Sequence, residues 1–190
     1  MYLSRDQVLR VWNRFPEMPH GFVVKSYEDE RELAAWVDLL NRESGFGVWS
    51  EKRLRDELLS QLVSPRSTTL VYDDDRLVGC ACLVRVPGDP RTAQGMFMYL
   101  DKAYRGRRKL AHLITLRTLA FVDDGQGMDR TLITTDPERL SALLIYLQFG
   151  AEPIRDSLYS FLQWRRIRRR LGPALQRMER RVALAPERQS

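Results

Sequence analysis

The sequence predicts an α/β (α+β) fold, a mixed central β-sheet flanked by helices, with an added basic C-terminal helical segment. Three observations carry this expectation. Strand-like and helical apolar patterns alternate through the second half of the chain, which is the signature of helices packed on a sheet. A length of 190 residues suits one well-buried domain and is short for two. The apolar content of 44% and charged content of 29% are those of an ordinary soluble globular chain. The expected organisation is an N-terminal segment over residues 1–20, a folded body over 21–163, and a basic amphipathic tail over 164–190.

The elements follow in order. Residues 1–20 end in the proline-containing "FPEMPHG". "FVVKSY" (22–27) reads as a first strand, and "DERELAAWVDLLNR" (29–42) places Leu33, Trp36, Val37 and Leu40 at helical spacing. After the glycine-containing "ESGFGVW", Ser50 suits the cap of a second helix reaching about Gln61. "TTLVY" (68–72), an acidic turn and "RLVGCACLVRV" (76–86) predict a hairpin. "PGDPRTAQG" reads as a loop before the short strand "MFMYL" (96–100). A helix to about Val122 then sets Arg108, His112, Thr115 and Thr118 in a polar stripe, with Leu113, Ile114, Leu116 and Ala120 inward. "RTLITT" (130–135) is a strand. Asp136 suits an N-cap, Pro137 a first helical position and Gly150 a left-handed stop. "DSLYSFLQW" (156–164) closes the body as a further strand-like run.

Charge and composition narrow the chemistry. The net charge is +6, yet residues 164–190 alone carry nine arginines against Glu179 and Glu187, a net of +7 that leaves −1 for the rest. The basicity therefore describes the tail and not the body. Trp164, Ile167, Leu171, Leu175, Met178 and Val182 recur at three- and four-residue steps, and Gly172-Pro173 is expected to divide the tail into two short helices. Such a segment packs on its own domain or on a second subunit in a homodimer, or meets anionic membrane, nucleic acid or a protein partner. Cys80 and Cys82, two apart on one strand, read as small buried hydrophobes, and with only His20 and His112 no spacing resembles a metal site. The mixed-charge N-terminus has no signal-peptide core and no apolar run reaches spanning length, so a cytoplasmic compartment is expected. Only four of the 31 basic residues are lysine, a coding bias that suggests a bacterial source.

The stretch "YRGRRKLA" (104–111) sits between strand and helix. The first N–H groups of a helix lack internal partners, and the macrodipole puts positive potential there. Arg105, Arg107, Arg108 and Lys109 add charge suited to a pyrophosphate, although a solvated basic turn has the same composition.

The order "MFMYL", "DKAYRGRRKLAHLI", "TLITT", "LLIYLQFGAEP" resembles the GNAT superfamily of acyl-CoA-dependent N-acetyltransferases. Leu113-Ile114 matches the paired apolar residues after that family's loop, and Ala142, Tyr146, Phe149 and Gly150 match its last block, with Ala151 where an aromatic usually lies. The resemblance spans about residues 21–163. It implies acetyl transfer from acetyl-CoA, the acyl-donor substrate, to a primary amine by direct attack in a ternary complex. Leu100 would end the strand that meets the pantetheine arm. The run Arg105, Gly106, Arg107, Arg108, Lys109, Leu110 and Ala111 would hold the pyrophosphate through backbone amides. Arg139 stands near the pantetheine, and Tyr146 would protonate the leaving thiolate. Arg108 and Leu110 occupy positions that the family fills with glycine or alanine, and a branched Leu110 is expected to crowd the pyrophosphate. Glu43 and Asp101 are the carboxylates placed to take the amine proton, and Phe46 and Trp49 are placed to line an acceptor pocket. The other reading is a non-catalytic GNAT-fold binding or regulatory protein acting through its tail.

Overall fold

The computed structural model describes residues 1–12, 19–43, 45, 47–106, 110–121 and 127–183. The chain forms two compact units, Leu3–Thr134 and a second made of Met1–Tyr2 with Thr135–Ser190. Elements run β1 (Tyr2–Ser4), α1 (Arg5–Trp12), β2 (Phe22–Lys25), α2 (Arg31–Glu43), α3 (Glu51–Glu57), β3 (Thr68–Asp73), β4 (Arg76–Val86), β5 (Asp89–Leu100), α4 (Leu110–Ala120), β6 (Arg130–Ile133), α5 (Leu140–Gln148) and α6 (Leu158–Ala183). The six strands form one mixed sheet in the order β1-β6-β5-β4-β3-β2. Pairs from β2 to β5 are antiparallel and β5–β6 is parallel.

Each face of the Leu3–Thr134 sheet has its own core. On one, Leu33, Trp36, Leu39 and Leu40 of α2 and Leu54 of α3 bury against Leu70, Tyr72, Leu77, Cys80, Cys82 and Val84. The helical spacing read from the sequence is the spacing of this buried face. On the other, Leu110 and Ile114 of α4 meet Val71, Val78, Ala81 and Leu100. A bulge opposite Val71 and Tyr72 switches the phase of β4, because Val71 pairs with Gly79 and Tyr72 with Leu77. At Gly79 a Cβ would lie 2.6 Å from Ile114 Cδ1, so glycine lets α4 approach the sheet.

Cys80 and Cys82 are fully buried free thiols on the same face, as read from their spacing. Ser50 caps α3, its hydroxyl accepting from Arg53 N at 3.1 Å. The helix then ends at Glu57, and a separate 3-10 turn covers Leu59–Gln61 where one continuous helix was expected.

Several other expectations are corrected. Residues 1–20 contain β1 and α1, whose helix packs beside α4. The predicted loop before "MFMYL" is the first half of β5, paired to β4 through a two-residue turn at Pro87-Gly88. Proline and glycine in "PGDPRTAQG" signalled a long loop, but only Gly88 (φ 78°) turns the chain. Thr115 and Thr118 are buried and not part of a polar stripe. Thr118 satisfies its hydroxyl on Ile114 O at 2.9 Å and lies 2.7 Å from the Thr69 hydroxyl.

In the second unit, the Asp136 carboxylate accepts from Glu138 N at 2.9 Å and closes a turn, so α5 starts only at Leu140 with Arg139 at its N-cap. Gly150 (φ 87°) ends it as predicted. The run from 156 is helical, because Ser157 and Ser160 cap each other: Ser160 N donates to Ser157 Oγ at 3.1 Å and Ser157 N to Ser160 Oγ at 3.2 Å. Pro173 lies inside one continuous α6 and does not divide it. α5 packs on α6, and Leu143, Tyr146, Ile167 and Leu171 are buried.

Candidate active site

The strand that leads to "YRGRRKLA" is irregular in its second half. β5 pairs with β6 only from Thr92↔Arg130 to Gly95↔Ile133, and there the parallel ladder stops. Immediately beyond, β5 bulges. Cys82 pairs with Met96 but Cys80 with Tyr99, so three steps of β5 match two of β4. Phe97 sits in this bulge at φ 50°, a left-handed conformation rare for a bulky side chain. The Cys80 and Cys82 thiols donate to the Phe97 and Met96 carbonyls at 3.3 and 3.5 Å, which fixes the bulge from its paired side. Burial pushes the Cys80 thiol up to about 12 and raises Cys82 well above its ordinary value, so both remain thiol donors.

Leu100 ends β5, and its carbonyl accepts from Arg105 Nε at 3.1 Å. Asp101 follows as a nearly buried hub. Its N–H donates to Val78 O at 2.7 Å, and one carboxylate oxygen accepts from Ala103 N at 2.9 Å. The other oxygen accepts from Arg42 Nη1 at 2.8 Å and Arg76 Nη2 at 2.6 Å. Burial alone would raise this carboxyl, but the Ala103 N–H and the two guanidinium charges outweigh it and hold it below its usual range. A carboxylate held ionised in this way is a weak proton acceptor. Its geometry is that of a tie between α2, β4 and the loop.

Tyr104 anchors the other side of the loop. Its hydroxyl donates to Asp73 Oδ2 at 2.6 Å, which raises its pKa, and its ring packs edge-on to Phe22 at 6.1 Å. Gly106 then takes φ 78°, and among the described residues nothing lies within 4 Å of where a Cβ would stand. Arg107, Arg108 and Lys109 lie outside the described residues. Leu110 opens α4 with its side chain fully buried among Val71, Val78, Ala81, Leu100 and Ile114, and Ala111 packs partly against the same cluster. The expected crowding by Leu110 does not arise from this placement, because the branched chain points into the core.

Leu100, Asp101, Arg105, Gly106, Leu110 and Ala111 thus share one connection within the Leu3–Thr134 unit. Glu43 ends α2 in the same unit, and its side chain lies outside the described residues, as does Phe46. Trp49 is buried in the core, clamped by Asn41: its N–H donates to Asn41 Oδ1 at 2.6 Å and its carbonyl accepts from Asn41 Nδ2 at 3.1 Å. Its ring meets Phe97 edge-on at 5.2 Å, and the Arg53 guanidinium stacks on it at 4.3 Å. Arg139 and Tyr146 belong to the other unit, Arg139 exposed at the start of α5 and Tyr146 buried within it. A concavity of about 750 Å³ lined by Tyr27, Arg66, Ala120 and Phe121 lies at the C-terminal end of α4. It is a helix length, about 15 Å, from the loop and takes no part in the site.

Sequence reasoning missed the Phe97 bulge and the Arg42–Asp101–Arg76 hub. The only sequence signal for the bulge is the lack of strict alternation in "QGMFMYL"; pairing of Asp101 with Arg42 and Arg76, 59 and 25 residues away, left none.

The described part of the connection is thus a bulged strand, the arginine-held Asp101, a positive-φ Gly106 and the buried Leu110 of α4. The sequence matches the Acetyltransferase (GNAT) family over residues 33–151, more than half the chain, and the protein belongs to that family. It is accordingly an acetyltransferase by family, and GNAT proteins take acetyl-CoA as donor. Among curated proteins none matches the sequence. Solved structures share the fold. An acetyltransferase from Streptococcus agalactiae superposes with TM-score 0.56 at 22% identity, covering 73% of this chain and 87% of that one. A GNAT-family acetyltransferase from Streptococcus pneumoniae gives 0.57 at 14%, covering 68% and 83%. The ribosomal-protein-S18-alanine N-acetyltransferase of Escherichia coli gives 0.56 at 16%, covering 70% and 79%.

Proposed function

We propose that the protein transfers the acetyl group of acetyl-CoA to a primary amine by direct attack in a ternary complex. The observation that carries this reading is β5 running on past its ladder with β6, bulging at Phe97 and leading to the positive-φ Gly106, with Leu110 of α4 buried in the core. The part of β5 beyond its ladder with β6 suits the pantetheine arm, with Leu100 at its inner end. Arg105, Gly106, Arg107, Arg108, Lys109, Leu110 and Ala111 suit the pyrophosphate, and Arg139 adds a cation for the donor. The amine nitrogen attacks the thioester carbonyl, the C–S bond breaks, and the departing thiolate takes its proton from the Tyr146 hydroxyl. The amine's surplus proton passes to a carboxylate or a water. Of the two carboxylates, Glu43 is the better acceptor, because Asp101 is bound to two arginines. The non-catalytic reading loses one of its supports once Leu110 lies in the core.

Calorimetry with acetyl-CoA and CoA tests the reading, and no binding at millimolar ligand would overturn it. With binding in hand, Tyr146→Phe is expected to lose most of the turnover on an amine panel while retaining acetyl-CoA affinity, a loss of about 10²- to 10⁴-fold. Unchanged turnover removes Tyr146 from the mechanism.

A further inference from the structure

The outward side of α6 changes character along its length. Its first turn exposes Leu158 at 75%, Tyr159 at 74%, Phe161 at 49% and Leu162 at 50%. One turn on, the same side presents Arg165, Arg166, Arg168 and Arg169, all exposed, while Ile167 and Leu171 occupy the buried side. Arg155, Arg165, Arg168 and Arg169 surround a concavity of about 430 Å³ floored by Phe161 and Trp164. Among the described residues no acidic one lines it. Among the described residues none of those four arginines has an ion pair or side-chain hydrogen bond, whereas neighbouring Arg170 is paired with Glu138 at 2.9 Å. The four arginines border this largely apolar concavity without a counter-charge, and guanidinium groups bind phosphate oxygens bidentately.

We propose that this side of α6 docks on an anionic phospholipid surface. The exposed arginines around the concavity take headgroup phosphates, and Leu158, Tyr159, Phe161 and Leu162 enter the acyl boundary. Charge and apolarity together choose this occupant. A nucleic acid would satisfy the arginines but leave four large apolar side chains in water. A second copy seated on the same face would cover the apolar turn while bringing unneutralised arginine clusters toward each other. A bilayer interface meets both halves of the surface at once. Among the described residues no helix is long and apolar enough to cross a membrane, so the contact is peripheral and reversible.

The test is flotation of the full chain with vesicles of phosphatidylcholine alone and of phosphatidylcholine mixed with phosphatidylglycerol. The wild type is expected to float with the mixed vesicles and not with the neutral ones. Each Arg→Gln change at 165, 168 and 169 should lower partitioning roughly fivefold, about a hundredfold for all three. Leu158→Ser/Leu162→Ser should release from mixed vesicles as salt rises, under conditions where the wild type stays bound. These side chains are exposed, so melting temperature and acetyl-CoA affinity should be unchanged in every variant. Trp164 emission, compared with Trp164→Phe, should shift to the blue on vesicle binding, a readout independent of the arginine variants. Soluble glycerol phosphate should compete only weakly. The proposal is overturned by absence of binding to mixed vesicles at low salt, by equal binding to neutral ones, or by free phosphate binding as tightly as vesicles. It is equally overturned if duplex DNA is held more tightly than vesicles, or if the leucine variant merely turns a dimer into a monomer.

Discussion

Leu110→Ala separates two accounts of one residue. If Leu110 crowded a pyrophosphate, shortening it would tighten acetyl-CoA. The structure instead puts it at zero exposure against five apolar partners, and there the change removes three carbons from a core. At about 0.8 kcal/mol per buried carbon the transfer loss is about 2.4 kcal/mol. A residual cavity adds to this, about 1 kcal/mol, because Leu100 and Ile114 close the site only partly. The expected destabilisation is therefore about 3–4 kcal/mol, inside the span measured for buried Leu→Ala changes. For a chain of this size that lowers Tm by about 6–16 °C. Urea unfolding with and without acetyl-CoA gives stability, and calorimetry below the transition gives affinity. Affinity should stay within a factor of about two to three, since the backbone amides remain. An unchanged Tm together with acetyl-CoA binding tightened tenfold would refute the core placement and restore the crowding argument.

Other expectations follow from the same geometry. Asp101→Asn should cost about 1–3 kcal/mol at pH 7 by leaving Arg42 and Arg76 without their shared carboxylate, the figure tempered by Arg76 being 57% exposed. Because the folded carboxyl is held below its ordinary value, that advantage is present above about pH 4 and vanishes as pH falls through the lowered pKa. A gap that widened in acid would contradict the assignment. Cys80 and Cys82 should resist a thiol reagent at pH 8 until urea unfolds the chain, and immediate labelling of either would contradict their burial.

Those residues also show what a single sequence reveals. α2 was legible because Leu33, Trp36 and Leu40 repeat at helical spacing and their burial is local to one face. The β3–β4 hairpin was legible because Asp73-Asp74-Asp75 has the chemistry of a turn, and Asp74 does adopt φ 50°. The first half of β5 was not, because Pro90 and Gly95 look like punctuation until pairing with β4 overrides them. "DSLYSFLQW" has strand-favouring residues, but Ser157 and Ser160 offer a reciprocal cap, and that local closure wins.

The site divides along the same line, between what neighbours in sequence can dictate and what only the fold brings together. Gly106 and the basic run beside it are local, so the turn and its charge were readable. The side-chain direction of Leu110 is not local. It depends on α4 lying over Val71, Val78 and Ala81, and Gly79 is what lets the helix come that close. Comparison with a family's glycine pattern treats each loop position as facing the ligand. A helix start does not, since successive side chains there point about 100° apart and some must face the sheet. At position 110 the branched side chain is therefore accommodated in the core and not in the loop. A cysteine-braced bulge and an arginine-held aspartate on either side of Leu100 then keep the mouth of the loop in place.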